Sequence, residues 1–127
     1  MAVTCTNVTL ARNTVSVQAP DAATANGADT AEVFTITPSK PHCKMIIEVT
    51  VADTNGTVTC SLGAGTEFWP SKAQTFNAVQ NKTSVFHIAD GARFLTSSDT
   101  ILLTLTPATG KKLKDDHAAT VQVIELP

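Results

Sequence analysis

The stretch Cys43–Leu62, CKMIIEVTVADTNGTVTCSL, decides the fold class. Apolar and polar residues alternate with a period of two on both sides of Asn55-Gly56, as in strands that bury one face. The predicted inward positions are Met45, Ile47, Val49, Val51, Val58, Cys60 and Leu62. Asn-Gly supplies the positive φ of a tight turn, so the stretch predicts a β-hairpin that turns at Asp53–Gly56.

Composition extends this prediction to the whole chain. Threonine makes up about one residue in six, valine is common, and tyrosine is absent. Threonine and valine fit a pleated surface better than a helix. The 127 residues therefore predict an all-β protein, a single-domain antiparallel β-sandwich or jelly roll of about eight short strands with little helix. The other predicted strands are Ala2–Leu10, Thr14–Gln18, Glu32–Thr37, Thr83–Ala89, Thr100–Thr106 and 118–127.

The segment 12–31 is polar and rich in small residues, and it contains Pro20 and Asn26-Gly27. We expect a long and partly extended excursion from the sandwich here, with one short strand inside it. Long loops of compact domains often make contacts, so Arg12 in this segment is a candidate partner contact.

Charge and cysteine usage exclude several classes of protein. A net charge of −2 gives no general reason to expect nucleic acid or an anionic membrane as partner. No apolar run reaches the roughly 18–20 residues that cross a bilayer, and the start lacks a secretory pattern, so we expect folding in a cytosol. Cys5, Cys43 and Cys60 form neither a disulfide framework nor a zinc pattern, and we expect reduced, partly buried thiols that act as small apolar residues.

The stretch HIADGARFLTSSDT, residues 87–100, holds the densest cluster of chemistry-bearing side chains. One interpretation is a His87 base oriented by a carboxylate, with Arg93 binding an anion. No nucleophile accompanies it, and the neighbours of His87 should face the core, so that the histidine points to solvent. The favoured interpretation is a turn between strands, in which Asp90 binds local backbone and Gly91 takes an unusual φ.

No metal or cofactor site follows from the sequence. The candidate ligands would be His42, Cys43, Cys60, His87 and His117. Adjacent residues of a strand point to opposite faces, so His42 and Cys43 could not easily share one ion. The run Lys114–His117, KDDH, lacks the alternation of a calcium loop. We therefore expect a protein that is not an enzyme and carries no cofactor.

Two further motifs could contact a partner. Phe68 and Trp69 in EFWP form either a cap over the core or an exposed aromatic anchor, and an exposed ring could also stack on a sugar. Lys111 and Lys112 in KKLK are too few for a nucleic-acid patch, but they could pair with an acidic protein surface.

Three stretches carry a resemblance to a known group. They are the opening MAVTCTNVTLARNTV, the run TSVFHIADGARFLTSSDTILLTL and the ending ATVQVIELP. With them the chain resembles small β-rich virion proteins of tailed phages, which are capsid decoration or head-stabilising proteins. The chain departs from that pattern where IADGARF replaces an expected Gly-Pro break, and in its insert KKLKDDH.

The resemblance implies a structural virion protein on the capsid surface, made in the host bacterial cytoplasm. Its partner would be the major capsid protein or another virion protein, and it would form a homo-oligomer. The candidate contacts are Arg12, Phe68, Trp69, Arg93, Phe94, Lys111 and Lys112. A head–tail connector or tail subunit, or a carbohydrate- or surface-binding β-sandwich module, remains the alternative.

Overall fold

The computed structural model describes residues 2–52, 54–66 and 72–127. These residues form ten strands and one short 3-10 helix, Gly91–Phe94, which confirms the all-β prediction. None of this part of the chain forms a helix with the length and apolar character needed to cross a bilayer. The strands are β1 (Ala2–Thr4), β2 (Val8–Thr9), β3 (Asp21–Ala22), β4 (Glu32–Ile36), β5 (Met45–Val51), β6 (Val58–Leu62), β7 (Gln74–Ala78), β8 (Lys82–Ile88), β9 (Ile101–Thr106) and β10 (Thr120–Glu125).

The strands form two mixed sheets of five. Sheet A has the order β1-β4-β9-β6-β7, and sheet B has the order β2-β10-β5-β8, with β3 also paired to β10. Most pairings are antiparallel, but β1 runs parallel to β4 and β2 runs parallel to β10. The predicted strands at β4, β8, β9 and β10 are confirmed, whereas β7 was not predicted.

The predicted hairpin between β5 and β6 is wrong. β5 pairs with β8 and β10 in sheet B, whereas β6 pairs with β7 and β9 in sheet A. The inward residues of both strands are nevertheless buried as predicted. Alternation specifies which side chains face the core, and two strands that face each other across a core satisfy it as well as two paired strands do.

The connection between β5 and β6 is hydrogen-bonded to other segments of the chain. Asn55 Nδ2 donates to the carbonyl oxygen of Asp116 at 2.7 Å, and Gly56 N donates to Gln80 Oε1 at 2.8 Å. Gly56 has a φ of 106°, so the positive φ expected from Asn-Gly is present. This positive φ lies in a connection that passes from sheet B to sheet A, not in a hairpin turn.

The N-terminal predictions also need correction. The strand predicted over Ala2–Leu10 is divided, because the chain passes from sheet A to sheet B between β1 and β2. At the passage Cys5 is buried and its N–H donates to the Thr35 carbonyl at 2.9 Å. The short strand predicted at Thr14–Gln18 is wrong, since those residues pair with no strand and β3 lies at Asp21–Ala22 instead.

The buried faces of both sheets meet in one apolar cluster, as in a β-sandwich. Phe34, Ile36 and Leu103 contribute to it from sheet A, and Met45 and Ile47 contribute from sheet B. All three cysteines are free, as predicted, and they are more deeply buried than the partial burial expected from the sequence.

Glu32 is fully buried beside this cluster and holds the chain that follows β3. Its carboxylate accepts the backbone N–H groups of Thr24 and Ala25, each at 2.9 Å, and the hydroxyl of Thr24. A buried carboxylate is tolerated when its oxygens are satisfied in this way. Glu32 therefore ties the end of the excursion to sheet A.

Candidate functional site

A cleft of about 800 Å³ lies where the edge strands β7 and β8 of the two sheets come together. The rings of Phe76 and Phe86 stack across this edge with centroids 4.9 Å apart. The cleft is lined by Lys72 and Gln74 beside and on β7, by Phe86–Ile88 on β8, and by Ala89, Asp90, Arg93 and Phe94 from the connection and the 3-10 helix. The stretch singled out from the sequence thus forms one wall of a concave surface.

Asp90 organises this wall. Its Oδ1 accepts the backbone N–H of Ala92 at 3.0 Å, which caps the helix, and lies 3.1 Å from His42 Nδ1. The local bond of Asp90 confirms that prediction. The unusual φ predicted at Gly91 is wrong, since the described glycines with positive φ are Gly56 and Gly110.

Gly91 is needed for close packing instead. Its N–H donates to the carbonyl oxygen of Cys43 at 2.8 Å, and an added Cβ would lie 3.2 Å from that oxygen. The absence of a side chain at Gly91 therefore allows the helix to approach the start of β5.

The pair of His87 with an orienting carboxylate is not formed with Asp90. His87 is exposed, as predicted, and the Asp90 carboxylate is engaged by the helix backbone and by His42 instead of His87. The His42 and Asp90 side chains are 68% and 39% exposed, and exposed pairs contribute little to stability. Among the described residues, no group of three or more His, Cys, Asp or Glu could hold a metal ion.

The predicted contact residues lie in separate places. Arg93 is exposed on the helix, whereas Phe94 beside it is 8% exposed and belongs to the core, with its remaining surface at the cleft. Lys111 and Lys112 are half-buried in the connection before β10, and Arg12 is exposed between β2 and β3. Phe68 and Trp69 lie outside the described residues.

The predicted excursion at 12–31 contains a second surface, the segment 10–20 between β2 and β3, called here the arm. Val15 and Val17 on the arm are 89% and 88% exposed. The whole segment 11–20 is exposed, and two hydrogen bonds tie it to the domain: Ser16 Oγ donates to the Thr9 carbonyl at 3.2 Å, and Gln122 Nε2 donates to the main-chain carbonyl of Gln18 at 2.7 Å. The alternation of TVSVQ was the available signal, and it predicted a strand without its partner.

The arm is also longer than its connection requires. Thr9 pairs with Glu125 and Asp21 pairs with Val121, so its ends lie four residues apart along β10, or about 13 Å. The eleven residues 10–20 could reach roughly 36–40 Å when extended. The excess length places the valines on a projecting loop.

A buried carboxylate anchors the base of the arm. Glu125 is 2% exposed and accepts hydrogen bonds from Ser39 N at 2.7 Å, Cys43 Sγ at 3.0 Å and Thr9 Oγ1 at 3.2 Å. Burial raises the pKa of Glu125, but these hydrogen bonds outweigh burial and hold the pKa below its ordinary value. The ionised carboxylate thus ties β2 to β10 and to the turn before β5.

No protein-family model, curated protein or solved structure matches the chain. The case for a function therefore rests on the surfaces described above.

Proposed function

We propose that the protein is a non-enzymatic structural component of a tailed-phage virion, a decoration (cement) protein that binds the capsid lattice. The arm is the observation that carries this proposal. Apolar side chains that point away from their own domain gain nothing in a monomer, and burial against a partner would stabilise them.

The rest of the molecule supports the same role. A sandwich with a closed apolar core is a rigid support, and the arm projects from its edge at a fixed place. The cleft presents exposed Arg93 and the edge of Phe94 for a further contact. Contacts that are weak singly become strong when a symmetric oligomer engages a repeating lattice.

The partner proposed is the major capsid protein or another protein of the virion, and the place is the capsid surface. The decisive experiment is the copy number of the chain in purified particles of the virus that encodes it, by quantitative mass spectrometry against the major capsid protein. A count that is a fixed, large fraction of the capsid protein supports decoration. A single ring per particle would move the protein to the connector or tail, and absence from particles would overturn the virion role.

A matched pair of variants then tests the arm. Val15→Asp/Val17→Asp should lower the copy number about tenfold or more, because a loss of 1.4 kcal/mol or more in binding is tenfold or more in occupancy below saturation. Leu102→Asp is the control, since Leu102 is 36% exposed on sheet A, away from the arm. Equal loss with both variants would contradict a role of the arm.

A further inference from the structure

We propose that the arm of one copy adds as a strand to the free edge of β8 in a second copy of this chain. Val15 and Val17 then enter the cleft beside Phe86. The inference rests on the proposed assembly role and names the first partner of the arm.

The arm has the properties of a strand without a neighbour. In residues 14–18 the valines alternate with Thr14, Ser16 and Gln18. None of the described residues makes a backbone–backbone hydrogen bond with residues 11–20, although the carbonyls of Ala11, Gln18 and Ala19 accept side-chain groups. Unpaired N–H and C=O groups on an extended segment are a template for pairing with another sheet edge. Pairing would bury the outward valines and give the arm backbone–backbone hydrogen bonds.

β8 offers the complementary edge. It spans Lys82–Ile88 and is the last strand of sheet B, so within the described ranges 2–52, 54–66 and 72–127 it pairs with β5 alone. Val85 in the middle of β8 is 61% exposed. The cleft lies next to this edge, and the apolar rings of Phe86 and Phe94 line it. An added strand would therefore extend the sheet and fill the cleft.

In the structure the arm does not lie at this edge of its own chain. Hydrogen bonds tie it to β2 and β10 at one end of sheet B, and β8 lies at the other end. Two further strand spacings separate β10 from β8, or about 10 Å, with the sheet itself between the arm and the free edge. We therefore assign the edge that the arm meets to a second copy of the chain.

The pattern of side chains favours an antiparallel register. With Val17 opposite Phe86 and Val15 opposite Ile88, the valines face the cleft and Ser16 lies opposite exposed His87. In that register the Arg12 end of the arm reaches the Asp90 end of the cleft, where the Asp90 side chain is 39% exposed. Opposite charges thus meet at one end of the added strand.

The two surfaces differ, so the contact is heterologous. Each copy donates an arm at one edge of sheet B and accepts an arm at the other. Such contacts close into a ring when the rotation between copies allows it. We therefore expect a ring in which sheet B continues from copy to copy.

The first test is the mass of the purified protein by native mass spectrometry and light scattering. We expect a multiple of 13.3 kDa for the wild type and for Leu102→Asp, and 13.3 kDa for Val15→Asp/Val17→Asp with an unchanged circular dichroism spectrum. A monomeric wild type, or an arm variant that keeps the oligomer, would overturn the inference.

The second test distinguishes β8 from other partners of the arm. Ser16→Cys and His87→Cys are made separately, and the three native cysteines are buried and so do not interfere. When mixed and oxidised, the two variants should form a disulfide dimer that contains one of each. A Ser16→Cys variant that links to itself would show pairing between arms and overturn the inference.

The two proposals can fail separately. The mass and cross-linking tests need no virus, and the copy number in particles needs no knowledge of the oligomer. A ring that is absent from particles would leave the arm-to-β8 contact standing and remove the virion role.

Discussion

One residue at the base of the arm, Glu125, makes the stability of the fold depend on pH. The pKa of Glu125 is lowered in the folded protein, so ionised Glu125 stabilises the native state. This contribution is complete above the ordinary pKa near 4.5 and is lost as pH falls through the lower, folded pKa.

Replacing Glu125 should show this dependence directly. We expect Glu125→Gln to lower the free energy of unfolding at pH 7 by roughly 2–4 kcal/mol, because it removes the charge from three hydrogen bonds in a buried place. Its stability should also fall less between pH 5 and pH 3 than that of the wild type. Urea unfolding across this range measures both effects. Glu48→Gln on the outer face of β5 is the control, and a wild-type pH profile in Glu125→Gln would contradict the assignment.

The buried thiols should be inert in the native state. Burial raises the pKa of Cys5 and of Cys60 to about 12 each. At pH 8 about one thiol in ten thousand is then a thiolate, which is the reactive form. We expect Ellman's reagent to titrate these cysteines only after unfolding in denaturant, with a rate that follows unfolding. Rapid reaction of Cys60 in the native protein would contradict its place in the core.

At the scale of elements, the connection between β5 and β6 shows what alternation can and cannot predict. The buried faces of both strands follow from the spacing of Met45, Ile47, Val58 and Cys60, because a period of two fixes the face of a strand. Pairing depends on partners far along the chain, which local pattern does not encode. The N-terminal passage between sheets escaped prediction for the same reason.

Gly56 in this connection supplies a test of the crossing. An added Cβ at Gly56 would lie 2.9 Å from the Ala108 Cβ, and its φ of 106° is unfavourable for other residues. Gly110 also has a positive φ, of 76°, but no atom lies within 4 Å of an added Cβ. We expect Gly56→Ala to cost about 2–3 kcal/mol and Gly110→Ala about 1 kcal/mol in unfolding experiments. Equal costs would argue against contact with Ala108.

For the whole molecule, the sequence predicted the all-β class and a long excursion at 12–31, but it predicted neither the cleft nor the exposure of the valines in the arm. The arm contacts β2 through Ser16 and β10 through the main-chain carbonyl of Gln18, and the partner of Gln18 lies far along the chain at Gln122. Exposure of Val15 and Val17 is thus a property of the tertiary structure.

Shortening the arm should therefore separate folding from assembly. If Gly-Ser replaces Arg12–Gln18, six residues remain between β2 and β3 and still span roughly 20 Å, more than the gap of about 13 Å. The lost contacts are exposed side-chain hydrogen bonds, and a shorter loop costs less closure entropy, so the free energy of unfolding should stay within about 1 kcal/mol. Monomeric Val15→Asp/Val17→Asp is the proper reference, because self-association raises apparent stability.

The shortened protein should fold, run as a monomer and fail to join particles. Loss of the fold would instead make the arm part of the sandwich, and normal incorporation into particles would place the lattice contact elsewhere.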